Sequence, residues 1–228
     1  DLVRSRGLGD VYKRQLSCIV YLSPASESGW QMCPFRTPAC EHICLGHSSG
    51  LMPMPASKRA RIARTTLLMT DRVAFGIQIE KEIRAFIRKA AKLGLVPAIR
   101  LNGDSDIRWD LMKFDGQTLM EKFPEVVWYD YTKWPIHLRP DSNGIHLTFS
   151  RSENTTMEEI TRTIAAGRNV AVVFDVVPTS WEGFDVINGD SDDLRPLDPV
   201  GVIVGLEPKG PLAKRDRSGF VVRLHSGS

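Results

Sequence analysis

Three of the four cysteines fall within twelve residues, CPFRTPACEHIC, which places Cys33, Cys40 and Cys44 in a C-x6-C-x3-C pattern. The fourth, Cys18, sits alone in an apolar run, where an inert buried thiol is the default. No secretory pattern of basic flank, apolar stretch and small-residue cleavage site is visible, so a disulfide framework is disfavoured. Close-set cysteines in such a chain point to metal or redox chemistry. Three thiolates can hold an iron–sulfur cluster that leaves one iron open. Zinc offers a second reading, with Cys33, Cys40 and Cys44 joined by His42 or His47. A third is three ordinary reduced thiols in a loop. Iron–sulfur leads these readings, because the segment follows the first apolar strand.

That strand reads as Leu16–Leu22, and the cysteine segment opens a loop over residues 29–55. Ser57 is placed to cap a helix beginning SKRARIARTTLLM, and Asp71 opens a longer one with Val73, Phe75, Ile79, Ile83, Phe86, Ile87 and Ala90 at spacings of three and four. Gly94 stands at its C-terminal cap. Further strands are expected at Pro97–Leu101, Val126–Tyr131, Ile145–Phe149, Val170–Phe174 and Val200–Leu206, with Phe184–Ile187 as an edge insertion. Helices are expected at Thr118–Phe123 and Thr156–Ala166. Continuous apolar strands alternating with helices predict a parallel α/β sheet. The expected architecture is a βα-repeat forming a partial, TIM-like barrel over residues 16–223, with a short tail at 224–228.

Each strand runs straight into polar residues, and in parallel α/β folds the strands' carboxyl ends share one rim where ligands bind. Asn102, Gly103, Asp104, Asp106 and Ser150 are therefore cofactor-binding candidates. Asp130, Lys133, Asp175 and Glu207 are catalytic ones. The same carboxylates could instead serve a divalent metal in a nuclease. They could also be helix caps and salt bridges.

The chain has 228 residues, 42% hydrophobic and 25% charged, with a formal net charge of +3. It can bury a core without disulfides, and nothing approaches the ~18 apolar residues of a membrane span. Residues 1–15, DLVRSRGLGDVYKRQ, lack apolar periodicity and resemble translated adapter read-through, so they are set aside from the fold. On that reading the natural N-terminus lies upstream. The segment carries Arg4, Arg6, Lys13 and Arg14 against Asp1 and Asp10, and without its +2 the remainder stands at +1. The basic run Lys58, Arg59, Arg61, Arg64 could meet phosphate, but a solvated helix face or pairing with rim carboxylates explains it as well. Nucleic acid is thus a weakly supported partner. His146 opens a strand away from the rim and His137 lies in a Trp/Pro loop. No dinucleotide fingerprint, phosphate loop or Ser-His-Asp signature occurs.

From Leu16 to Arg223 the chain resembles a phage-encoded family, the gene-88 product-like proteins. The strings that carry the resemblance are YLSPASESGWQMCPFRTPACEHICLG, RLNGDSDIRWD, YDYTKWP, HLTFSRSE, NVAVVFD, VGLEPKG and SGFVVR. It implies a cytoplasmic protein, in the host if phage-encoded, and brings no activity with it. The layout is also similar to radical S-adenosylmethionine enzymes, which place three cysteines after the first strand and a Gly/acidic motif after the second. Asn102-Gly103-Asp104 stands in that second position, although C-x6-C-x3-C departs from the usual C-x3-C-x2-C. The similarity implies a 4Fe-4S cluster on the three cysteines and S-adenosylmethionine as cofactor, with the substrate unknown.

Overall fold

A computed structural model describes residues 3–5, 15–48 and 50–224, the first three by backbone alone. The strands are β1 (Val3–Ser5), β2 (Gln15–Val20), β3 (Val96–Arg100), β4 (Lys113–Phe114), β5 (Gln117–Thr118), β6 (Val127–Thr132), β7 (Ile145–Ser150), β8 (Val170–Phe174), β9 (Ser180–Trp181), β10 (Phe184–Asn188), β11 (Ile203–Leu206) and β12 (Val221–Val222). The helices are α1 (Pro38–His42), α2 (Leu45–Ser48), α3 (Pro55–Thr70), α4 (Arg72–Lys92), α5 (Leu119–Lys122), α6 (Met157–Ala165) and α7 (Gly210–Lys214). The result is mixed α/β with mostly parallel pairing.

The chain divides into two compact units. The first holds residues 1–34, 54–130 and 141–146. In it β2 pairs in parallel with β3, and β3 with β6, through Cys18↔Ile99 and Ile99↔Trp128. β1, inside the segment set aside as a tail, pairs antiparallel with β2, while residues 6–14 lie outside the described residues. α4 buries Phe75, Ile79, Ile83, Phe86 and Ala90, most of the stripe its spacing predicts, while Val73 in its first turn is exposed and Ile87 is half-buried. Its start is fixed as expected, with the Asp71 side chain accepting from the Ala74 amide at 2.9 Å. α3 departs from expectation. It begins at Pro55, a residue suited to the first helical turn, so Ser57 lies inside the helix and caps nothing. Its buried face is mixed, with Arg61 and Thr65 beside Leu68.

The second unit holds residues 35–53, 131–140 and 147–228. β8 lies in parallel between β7 and β11, and β11 pairs in parallel with β10. β9 closes an antiparallel hairpin on β10. Val170, Val172 and Phe174 pack with Ile160 and Ile203 on one face of β8. Val173, on its other face, meets Ala39, Ile43, Ala213 and Phe220. Burial on both faces accounts for the unbroken apolar run of this strand. β7 pairs with the first half of β8 and β12 with the second, at Val221↔Val173 and Val222↔Phe174.

Candidate functional site

In the first unit the loops after the parallel strands are laced together at one end. Asn102 is buried at their centre. Its side-chain amide donates to the Asp130 carboxylate at 2.8 Å and to the Ile107 carbonyl at 3.1 Å. Its carbonyl oxygen accepts from the Ser105 hydroxyl, the Ile107 amide and the Trp109 indole at 2.9–3.1 Å. Both amide hydrogens are thereby used. The sequence reading offered Asn102 to a cofactor; the structure instead spends its hydrogen-bonding capacity on ordering its own loop.

Asp130, expected as a catalytic group, accepts from the Asn102 amide at 3.0 Å and stands 3.6 Å from Arg100. Arg100 also reaches the carbonyls of Asn102 and Gly103. Gly103 has a steric reason to be glycine. Its amide donates to the Val20 carbonyl at 2.9 Å, and a Cβ there would stand 2.5 Å from the Tyr21 ring and 2.8 Å from that same carbonyl. The loop after β3 can press onto the end of β2 because this residue has no side chain.

The contact delivers the first cysteine of the segment. The Cys33 sulfur accepts from the Ala25 amide at 3.4 Å and donates to the Asp104 carbonyl at 3.5 Å. The Asp106 amide donates to the Met32 carbonyl at 2.8 Å. Cys33 and the loop carrying Asn102, Gly103, Asp104 and Asp106 are therefore neighbours within this unit. The Asp104 carboxylate is buried and faces Arg61, which lies 3.7 Å both from it and from Glu27. Lys58 joins Glu27 at 3.0 Å, and Arg64 donates to the Tyr21 carbonyl at 3.1 Å. Three members of the basic run thus bind their own unit, and of these Arg61 meets a rim carboxylate, Asp104, as the pairing alternative expected. Glu27 escaped the sequence reading, since an acidic residue in a Ser-rich loop gives no sign that it will be buried.

In the second unit Cys40 lies on α1, and Cys44 follows two residues after that helix ends. Both are half-buried, as is Cys33. Cys40 packs beside Ile43, Ala213 and Phe220. α1 starts under the Glu153 carboxylate, which accepts from the Thr37 hydroxyl at 2.7 Å and the Ala39 amide at 3.1 Å. A carboxylate on the first-turn donors of a helix is a favourable cap. His42 and His47, the alternative zinc ligands, are exposed.

Lys133, a second catalytic candidate, is a strut. Its ammonium donates to the Ser150 carbonyl and hydroxyl and to the Arg151 carbonyl at 3.1–3.2 Å, and lies over the Phe220 ring. Three acceptors occupy its three hydrogens, and Ser150 supplies two of them. Asp175 accepts from the amides of Val176 and Leu224 at 2.9 and 3.1 Å. Glu207 is exposed, and its backbone amide donates to Asp190.

Among the described residues no three Cys, His, Asp or Glu side chains are grouped so as to hold a metal ion. The donor set still suits a cluster, with three thiols in one segment and Cys40 and Cys44 four residues apart. Burial pushes the Cys18 thiol far up, and the charge of Glu82 adds to the shift, so this cysteine stays a protonated core residue.

A family model described as Gene product 88 matches residues 4–224. The chain belongs to the Gene product 88 family. No curated protein and no solved structure matches it. The resemblance carried by the sequence strings is thus shown across nearly the whole chain, and membership in the Gene product 88 family adds no chemistry. No described helix is long and apolar enough to cross a membrane.

Proposed function

We propose that this chain is an iron–sulfur protein whose cluster is held by Cys33, Cys40 and Cys44. The observation that carries the reading is the position of Cys33. The first cysteine follows the first parallel strand, and its sulfur rests on the loop after the second, at the Asp104 carbonyl. The succession β2-β3-β6, and separately β7-β8-β11, has sequential parallel neighbours, which supports a βα-repeat reading. A 4Fe-4S cluster would supply one-electron transfer to a bound cofactor, and S-adenosylmethionine is the cofactor this order favours. The chain's own part is to hold the Cys33 thiol between Ala25 and Asp104, and to keep its loop braced through Asn102, Gly103 and Asp130.

The carboxylate-nuclease alternative is less well supported, because Asp104 and Asp130 are already engaged with Arg61, Arg100 and Asn102. Structural zinc remains the second reading, on the same thiols.

Anaerobic purification and reconstitution with iron and sulfide tests the proposal. The expected product is a brown protein with about four irons per chain. Serine at position 33, 40 or 44 should abolish retention, while Cys18→Ala should leave it intact. A colourless protein that keeps stoichiometric zinc and takes up no iron sinks the reading.

A further inference from the structure

At the carboxyl end of β8 the second unit carries an open groove of about 930 Å³, lined by Arg151, Trp181, Glu182, Arg217, Val222 and Arg223 among others. It has no part in the cysteine chemistry. Its floor is the strand β12, held beside β8 by the Asp175 amide donating to the Val222 carbonyl at 3.0 Å. Trp181 forms one wall, packed edge-on against Phe174 with ring centroids 5.5 Å apart.

The charges around this groove divide into those already spent and those still open. Arg223 donates to the carbonyls of Lys214 and Asp216 and lies 3.9 Å from Asp175. Asp216 accepts from the Ser218 amide and hydroxyl and from the Val221 amide. Arg151 uses one terminal nitrogen, Nη1, on the Gly219 and Phe220 carbonyls at 2.8 and 3.1 Å. That bond fixes the guanidinium and leaves its other edge, Nε with Nη2, without a partner among the described residues. Such an edge matches an oxyanion with two parallel hydrogen bonds. Burial pushes the Arg151 group down from its ordinary range, partly offset by the charge of Glu153. Arg217 is exposed and has no partner among the described residues.

Glu182, also in the lining, sits at the tip of the β9–β10 hairpin with φ of 50°, and Gly183 follows with φ of 84°. Two successive left-handed residues make the tight turn such hairpins prefer, at which Asn-Gly is the usual pair. A glutamate is an expensive occupant there, and its carboxylate belongs to the groove's lining.

We propose that this groove binds a small ligand bearing an oxyanion, a carboxylate or a phosphate. The anion is gripped by Arg151 and Arg217, the flat or apolar part lies against Trp181, and Glu182 meets a donor on the ligand. The groove's acids balance its arginines in number, so recognition rests on directed hydrogen bonds more than on net field.

Isothermal titration of the full chain, without cluster reconstitution, provides the test. The probes are inorganic phosphate, adenosine monophosphate and phenylalanine, which separate a bare phosphate, a ring-bearing phosphate and a ring-bearing carboxylate. At least one ring-bearing probe should bind more tightly than phosphate alone. Arg217→Ala should weaken it about tenfold, the loss of roughly one charge-assisted hydrogen bond, with the melting temperature unchanged because the exposed Arg217 side chain has no partner among the described residues. Trp181→Ala should erase the advantage of the ring-bearing probe over phosphate. Absence of binding by all three probes, or an Arg217→Ala protein that binds as well as the parent, overturns the proposal. Neither outcome bears on iron retention, so the groove and the cysteine segment stand or fall separately.

Discussion

Replacing Asn102 by alanine should be among the most damaging single changes available in the first unit. The side chain joins five groups, and those of Ser105, Trp109 and Asp130 are buried. Trp109 and Asp130 are both buried, at 1% and 0% exposure. Alanine strands the indole N–H of Trp109, the amide and carbonyl of Ile107 and the hydroxyl of Ser105, and takes one donor from Asp130. A buried polar group left unpaired costs about 1–3 kcal/mol, and such costs overlap when the groups share a loop that can relax. The expected loss is therefore about 3–5 kcal/mol, a large share of the 5–15 kcal/mol that stabilises an ordinary domain. With a urea slope of about 2.5 kcal/mol/M, the midpoint should fall by roughly 1.2–2 M. Trp109→Phe removes just one of the donors and should cost about 1 kcal/mol, which keeps the reasoning testable if Asn102→Ala does not fold. A midpoint shift for Asn102→Ala worth under about 1 kcal/mol would refute the hub, since no loop relaxation satisfies that many buried groups at once.

Two further outcomes follow from local environments. In the native, metal-free protein an aromatic disulfide reagent should titrate Cys33, Cys40 and Cys44 and miss Cys18, which reacts after denaturation; rapid reaction of all four would contradict the buried, protonated state assigned to Cys18. Burial raises the Asp216 carboxyl, but hydrogen bonds from Ser218 and Val221 and the charge of Arg223 outweigh it, and the net shift is downward. A lowered folded value adds stability above the ordinary carboxylate range and loses it as pH falls through the folded value. Asp216→Asn should therefore melt earlier than the parent at pH 7, with the gap closing towards pH 3; a gap that stays constant with pH would show the effect to be steric.

The elements were readable because their signals are local. The Asp71 cap, the 3.6-residue stripe of α4 and the unbroken apolar run of β8 each lie within a few residues, and each appears where the spacing puts it. The rim was half readable. Parallel strands do bring Asn102, Asp104 and Asp130 to one end, yet sequence cannot tell a polar side chain facing a ligand from one tying two loops together. That distinction depends on partners far along the chain, such as Arg61 for Asp104, 43 positions away by their numbers, or Ser150 for Lys133. Glu27 and Arg151 carried no motif at all. What marks them is burial together with a specific partner, which spacing does not encode.

The two units make the same use of their strand ends, and this sharpens where chemistry can reside. In the first, Asn102, Arg100 and Asp130 lace the loops after β2, β3 and β6. In the second, Lys133 ties the end of β7 through Ser150 and Arg151, and Glu153 caps α1. A side chain whose donors and acceptors are all occupied cannot also turn to a substrate without breaking a buried bond, at a cost of about 1–3 kcal/mol. Lys133 and Asn102 are therefore supports for whatever the protein binds. Groups that retain capacity among the described residues include the outer edge of Arg151, with Arg217 and Glu182 at the groove. A mutational search for activity should begin with these. If Lys133→Met abolished ligand binding while leaving the melting temperature untouched, the assignment of Lys133 as a strut would be wrong, because removing a three-acceptor ammonium from the end of β7 must register in stability first.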